Sequence, residues 1–424
     1  MTRLLLRIIS LTALVVLFSA EVFSATVESV ICHQCWPWNG KVDIGYVLES
    51  SANDPVFDVK FFGKIGEGES FQLTDLKGDG SAGIVLGSGS KRAIWDPSAA
   101  YPGAKISDFK IAVAAEEVTS QANYLVLDLN AYTFSYAAST NAATISVGSD
   151  SKKSQIWFRR IEPGAYVMSA GGDWSYFDPS WVSSATETSH NVELTRAFYM
   201  GIFETTEAQF SKISSETASA SCLPKLKIRY DQIRGSRLGT TWPYKTDRRV
   251  DTNSFLGILR SKTGNSVIID LPTEAQWELA CRSKGDGTFL GAGCWNDGSP
   301  YDSADGQTDN NLDKIAWYKM NSSNTSHEVG TKKPSLMGLY DMHGNAWEWC
   351  IDYFDYRYGL SNAQLSRTTI DPVGFFPTVS SAKNSRRCGA YGNLPVDCRT
   401  SRRTSPGNGT TYADYSFRLA LFQP

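Results

Sequence analysis

The feature that most constrains this chain is a change of texture at residues 137–153, a stretch rich in Ser, Ala, Thr and Asn. Before it, apolar residues alternate over short runs, as in half-buried strands: residues 42–48, 57–62 and 109–113 are the clearest. Lys77-Gly78-Asp79-Gly80 and Asp96-Pro97 supply turns between such runs. Residues 26–117 therefore read as an all-β sandwich domain, without a catalytic constellation. Residues 118–154 read as a connecting strand, at 124–129, and a linker. From 155 to 424 no long period holds, and aromatics, glycines and short loops dominate.

The first 25 residues read as a secretory signal peptide. Arg3 and Arg7 precede an apolar run at 8–18 and a small-residue segment ending at Ser24-Ala25. The run is shorter than the ~20 residues that span a bilayer, so cleavage and export are expected, with no membrane span afterwards. The destination is secreted, periplasmic or cell surface. All eight cysteines follow this segment, and an even count in an oxidising compartment predicts disulfides. Cys32-His33-Gln34-Cys35 is a CxxC without a second CxxC and without a following helix pattern, so a Cys32–Cys35 disulfide is expected rather than a redox or zinc site.

Charge excludes one class of partner. Lys plus Arg number 41 against 44 Asp plus Glu, net −3, with no basic tract to neutralise phosphates, so nucleic-acid binding is not expected. The four histidines, His33, His190, His327 and His343, form no local pair, which disfavours histidine-based metal catalysis.

Two helix starts are legible in the second half. Thr273 followed by Gln276 forms a capping box ahead of a run through Arg282, and a second helix is expected to start near Thr205-Thr206. Around them lie five segments: residues 160–168, 198–206 and 271–278, then Gly338-Leu339-Tyr340-Asp341-Met342-His343-Gly344-Asn345-Ala346-Trp347-Glu348-Trp349, and last Ser416-Phe417-Arg418-Leu419-Ala420. In this order they resemble the formylglycine-generating enzyme, or sulfatase-modifying factor, family. The resemblance implies an α+β, C-type-lectin-like fold with little regular secondary structure.

It also implies a calcium site along the tryptophan motif. Carried over, its ligands are Asp341, Gly344, Ala346 and Glu348, with Asp341 standing where the family has asparagine. Oxygen-only donors on a rigid loop suit that ion. From the residues alone, Trp347 and Trp349 can face a core while Glu348 points elsewhere, and the two carboxylates could equally bond local backbone.

The resemblance implies copper as well, and here the residues depart from it. The aerobic enzymes hold copper(I) with two cysteines five residues apart, and no cysteine of this chain occupies either position. Cys388 and Cys398 flank the segment and are expected in structural disulfides, with each other or as Cys350–Cys398. No catalytic residue is assigned, and copper is not expected.

The function expected is that of an exported, non-catalytic family member. It would bind a glycan, peptide or cell-surface protein through its loops; Trp295, Trp317, Tyr318, Tyr353 and Tyr356 are aromatics of the kind that stacks on sugar rings, but most are expected to fill the fold, and no binding site is named from them. The alternative is an oxygen-dependent oxidoreductase of the formylglycine-generating type, acting on a sulfur group.

Overall fold

The computed structural model describes residues 26–422 except 35–40, 51–55, 75, 79, 99–108, 119–122, 138–149, 170–186, 236–249, 265–266, 303–306, 356–357, 359, 373–382 and 406–412. The expected signal peptide lies outside the described residues. The chain divides into two compact units, one drawn from residues 1–122 and 262–267, the other from 123–261 and 268–422.

In the first unit the described elements of residues 26–117 are all strands. One sheet has the order Thr26–Gln34, Val42–Glu49, Gly89–Trp95, Leu76–Lys77. In the other, Val56–Ile65 pairs antiparallel along its length with Phe109–Glu117 and on its opposite side with Phe71–Gln72 and Gly83–Leu86. The period of two read from the sequence is realised, since Ile44, Tyr46 and Leu48 from one sheet share an apolar core with Phe57, Val59 and Phe61 from the other. Trp95 stacks on Phe109 in that core at a centroid distance of 5.0 Å. The turn at Gly78 needs glycine, because its φ is +123° and a Cβ there would lie 2.4 Å from the Arg92 carbonyl oxygen. At the other expected turn, Asp96 accepts a hydrogen bond from the Ser98 amide at 3.1 Å.

The second unit mixes short strands and short helices with long irregular connections. Its largest sheet has the order Thr133–Ala137, Tyr124–Asp128, Gln155–Ile161, Phe198–Gly201, Ala420–Phe422, Ile268–Asp270. Tyr124–Asp128, assigned from sequence to a connecting segment, is thus an integral strand here. Leu125 and Leu127 are wholly buried, and Gln155–Ile161 completes the strand's backbone hydrogen bonds. Both expected helices form, Glu207–Ile213 capped by Thr206 and Glu274–Arg282 capped by Thr273, each with a complete capping box. Among the described residues no helix is long and apolar enough to cross a membrane.

Candidate functional site

The tryptophan motif forms the strand Trp347–Tyr353, between Asn384–Arg387 on one side and Tyr415–Ser416 on the other. Alternation does turn Glu348 away from the two indoles, but every residue of this strand is buried, so both faces are covered. Glu348 meets an arginine there. Arg418 donates from Nε to Oε2 at 2.7 Å and from Nη2 to Oε1 at 2.6 Å, and the Trp277 indole N–H donates to Oε2 at 2.7 Å. Two further guanidinium hydrogens go to the carbonyls of Gly201 and Tyr340. Each nitrogen of the guanidinium thus reaches at least one oxygen, as such a burial requires.

The turn before this strand is held in backbone conformations that L residues seldom adopt. Asp341, Gly344 and Asn345 have φ of +54°, +79° and +57°. Gly344 is obligatory, since a Cβ would fall 2.2 Å from the Trp317 carbonyl oxygen. Asn345 fastens the turn in three directions: its N–H donates to Trp317 O at 2.7 Å, its Oδ1 accepts from His327 N at 3.0 Å, and its Nδ2 donates to Glu204 Oε2 at 2.6 Å. Asp341 accepts from the Gly330 amide through Oδ2 at 2.7 Å. The remaining oxygens, Asp341 Oδ1 and Glu204 Oε1, are buried without a hydrogen-bond partner. Burial pushes the Asp341 carboxyl up to about 6 and the Glu204 carboxyl well above the usual range, with the Asp341 charge adding to the latter.

Of the expected calcium ligands, Asp341 keeps one buried oxygen without a hydrogen-bond partner, and the Gly344 carbonyl lies 3.1 Å from the Cys388 Sγ. Ala346 is wholly buried in the turn. Glu348 accepts from Arg418 and from the Trp277 indole. Among the described residues, no three Asp, Glu, His or Cys side chains gather as a metal cluster.

The cysteines depart from expectation. Cys32, Cys222, Cys281, Cys350, Cys388 and Cys398 are unbridged thiols, so neither Cys388–Cys398 nor Cys350–Cys398 is a disulfide. Their packing explains this. Cys388 sits at φ +96° with its thiol against the carbonyls of Asp341 and Gly344, each at 3.1 Å, and Cys350 and Cys398 belong to different apolar clusters. Cys35 lies outside the described residues, and Cys32 is half-buried with its thiol pushed up to about 11 by burial and then by Asp43. Cys281 Sγ approaches His343 Nε2 at 3.8 Å, yet this is not a catalytic pair. His343 Nδ1 faces the Cys398 carbonyl at 2.7 Å and so carries the proton, while Nε2 accepts from the Asn296 amide at 3.2 Å. Burial pushes the imidazole down to about 4 and the Cys281 thiol up to about 12, so neither ion is present near neutral pH.

The stacking candidates are largely internal. Trp295, Tyr318 and Tyr353 are buried, and Tyr356 lies outside the described residues. Trp317 is half-buried, with His327 stacked on it at 3.7 Å and the Lys332 ammonium 4.0 Å from its ring centre.

Sequence reasoning missed a second buried charge network. Glu274 and Glu278 lie one helical turn apart. Arg403 and Arg387 both bond Glu274, and Arg387 and Arg282 both bond Glu278. Burial opposes ionisation of Glu274, but Arg403 and Arg387 outweigh it and bring the carboxyl down to about 2. Asp352 accepts from the Glu274 amide at 2.8 Å, and burial followed by the Glu274 charge pushes its carboxyl up to about 7. The available signal was three charged residues within the Trp277 helix, at positions 274, 278 and 282.

A loop-rich domain of mixed short strands and helices, organised by a buried Trp-Glu-Trp strand and its arginine partner, is the class that this fold and site define. Residues 153–422 match the sulfatase-modifying factor enzyme 1-like domain, and the chain belongs to that family. It is 31% identical to the formylglycine-generating enzyme of Streptomyces coelicolor over 157 residues, 35% of this chain and 46% of that protein. It is 30% identical to a protein named serine/threonine-protein kinase pkn1 from Chlamydia caviae over 151 residues, 35% of this chain and 20% of that protein. The chain thus spans about a fifth of that kinase-named relative and less than half of the Streptomyces enzyme. Among solved structures, Treponema denticola variable protein 1 superposes with a TM-score of 0.42 at 20% identity, covering 64% of this chain and 96% of that one. PvdO from Pseudomonas aeruginosa gives 0.42 at 22% identity, covering 62% and 94%.

Proposed function

We propose that this chain is an exported binding module of the sulfatase-modifying factor family, recognising a glycan, peptide or cell-surface protein through the loops of its C-terminal domain. The finer assignments belong to the same proposal: a C-type-lectin-like scaffold, a β-sandwich acting as spacer or second module, and a structural calcium ion at the turn before Trp347. The observation that carries the reading is the state of Cys388 and Cys398. Both are wholly buried and their thiols are pushed well above the ordinary value by burial, so neither supplies an exposed thiolate for a soft metal. The Streptomyces relative supports the scaffold. The kinase in the chlamydial name is not carried over, because the match spans a fifth of that protein.

The test is mass spectrometry of a Cys-x-Pro-x-Arg peptide incubated with the mature protein, copper(I), a thiol reductant and oxygen, beside an active family enzyme. No conversion beside a working control supports the binding reading, and glycan and peptide arrays then search for the ligand. Conversion to formylglycine overturns it in favour of an oxidoreductase.

A further inference from the structure

Three carboxylates, Glu204, Asp341 and Glu348, interact in the wholly buried surroundings of Arg418. Arg418 is spent on Glu348 through both of its oxygens. Lys152 lies on the Asp341 side and acts on it through space, its ammonium 5.5 Å from the centre of the Phe203 ring. Glu204 and Asp341 are left with one oxygen each tied to a nitrogen donor and one oxygen bare. The ties come from the same two segments. Gly330 and Asn345 are the donors, and Asn345 is itself anchored to His327. Each carboxyl group is thus fixed through one oxygen while the other is buried and unpartnered, the condition of a ligand that lacks a hard cation.

We infer that Glu204 and Asp341 are the two acidic side chains of a divalent-cation site in this chain, in place of the Asp341 and Glu348 pair that the family resemblance implies. The inference rests on the calcium reading proposed above and changes its ligands. Glu204 follows Phe203 at the end of the Phe198–Gly201 strand, far from the tryptophan motif in sequence, so a carry-over along one motif passes it by. Two bound carboxylates are balanced by one divalent ion, whereas Glu348 already has its counter-charge in Arg418. Calcium fits these donors because both are oxygens and the ion accepts irregular coordination.

The experiment uses the full mature chain, stripped with a chelator. Thermal melting is followed with and without calcium, and terbium luminescence is excited through the neighbouring indoles of Trp277 and Trp347. Calcium is expected to raise the wild-type melting temperature, because it binds the folded state alone. Glu204→Gln, which retains an acceptor for Asn345, is expected to abolish that rise and weaken terbium binding by at least about tenfold. If Glu204→Gln fails to fold, Asp341→Asn provides the second reading, with weakened but retained binding expected. A calcium response in Glu204→Gln equal to wild type overturns the ligand assignment and leaves the calcium reading standing. Absence of both responses in the wild-type chain overturns the two together.

Discussion

Arg418 holds Glu348 through two parallel hydrogen bonds, at 2.7 and 2.6 Å, across 70 residues of sequence, with both side chains wholly excluded from solvent. Geometry of this kind is the condition under which a buried ion pair is tolerated, because each partner replaces the water that the other has lost. The Trp277 N–H completes the carboxylate, so helix, strand and C-terminal segment converge on one group.

Removing only the arginine is therefore severe. Arg418→Met is expected to lower unfolding stability by about 3–5 kcal/mol, because it strands the Glu348 charge. Adding Glu348→Gln to that variant is expected to recover part of the loss. Urea unfolding of wild type, both single variants and the double variant gives the coupling, and strict additivity would show that the pair does not act as a unit.

Asp352 imparts a pH dependence of definite sign. Its folded pKa of about 7 exceeds the unfolded value near 3.8, so between those values the folded state binds more protons. Its contribution to stability is present at the acid end of this window and is lost as pH rises toward 7. Asp352→Asn is thus expected to gain on wild type by about 1 kcal/mol or more at pH 8 relative to pH 4. An equal difference at the two pH values, measured by chemical unfolding, would refute the assignment.

Gly344→Ala combines a positive φ with a collision against the Trp317 backbone. A loss of about 2 kcal/mol or more is expected. Gly291→Ala is the control, since a Cβ there meets nothing within 4 Å. Comparable melting temperatures for the two variants would show that the turn relaxes more easily than its contacts indicate.

Alkylation of intact protein without reductant tests the thiols. Cys281, Cys350, Cys388 and Cys398 are wholly buried and unbridged, so they are expected to react only after denaturation. Reaction in the native state contradicts their burial. Failure to react in denaturant until reductant is added means that the protein carries bridges.

What could be read in advance was what neighbouring residues decide. The caps at Thr206 and Thr273 and the alternation at 42–48 are local patterns, and each produced its element. The strand at 124–128 was legible, but its partner was not, because Gln155–Ile161 lies beyond a low-hydrophobicity stretch. Glu348 shows the same limit at the site. A period of two says which way a side chain points, but Arg418, which covers that face, lies 70 residues on. Glu204 escaped notice because its bare oxygen becomes visible only when Asn345 and Asp341 are placed beside it. Disulfides were inferred from an even count, and a count holds no information on which sulfur atoms meet.

The strand Ala420–Phe422 lies inside its sheet, between Phe198–Gly201 and Ile268–Asp270. On a ribosome, which delivers the chain from its N-terminus, those two flanking strands emerge long before the one that joins them. Until residues 417–422 arrive, each presents an unpaired edge, and Glu348 waits for Arg418 as well. The domain is therefore expected to complete itself late and slowly, through contacts of large sequence separation.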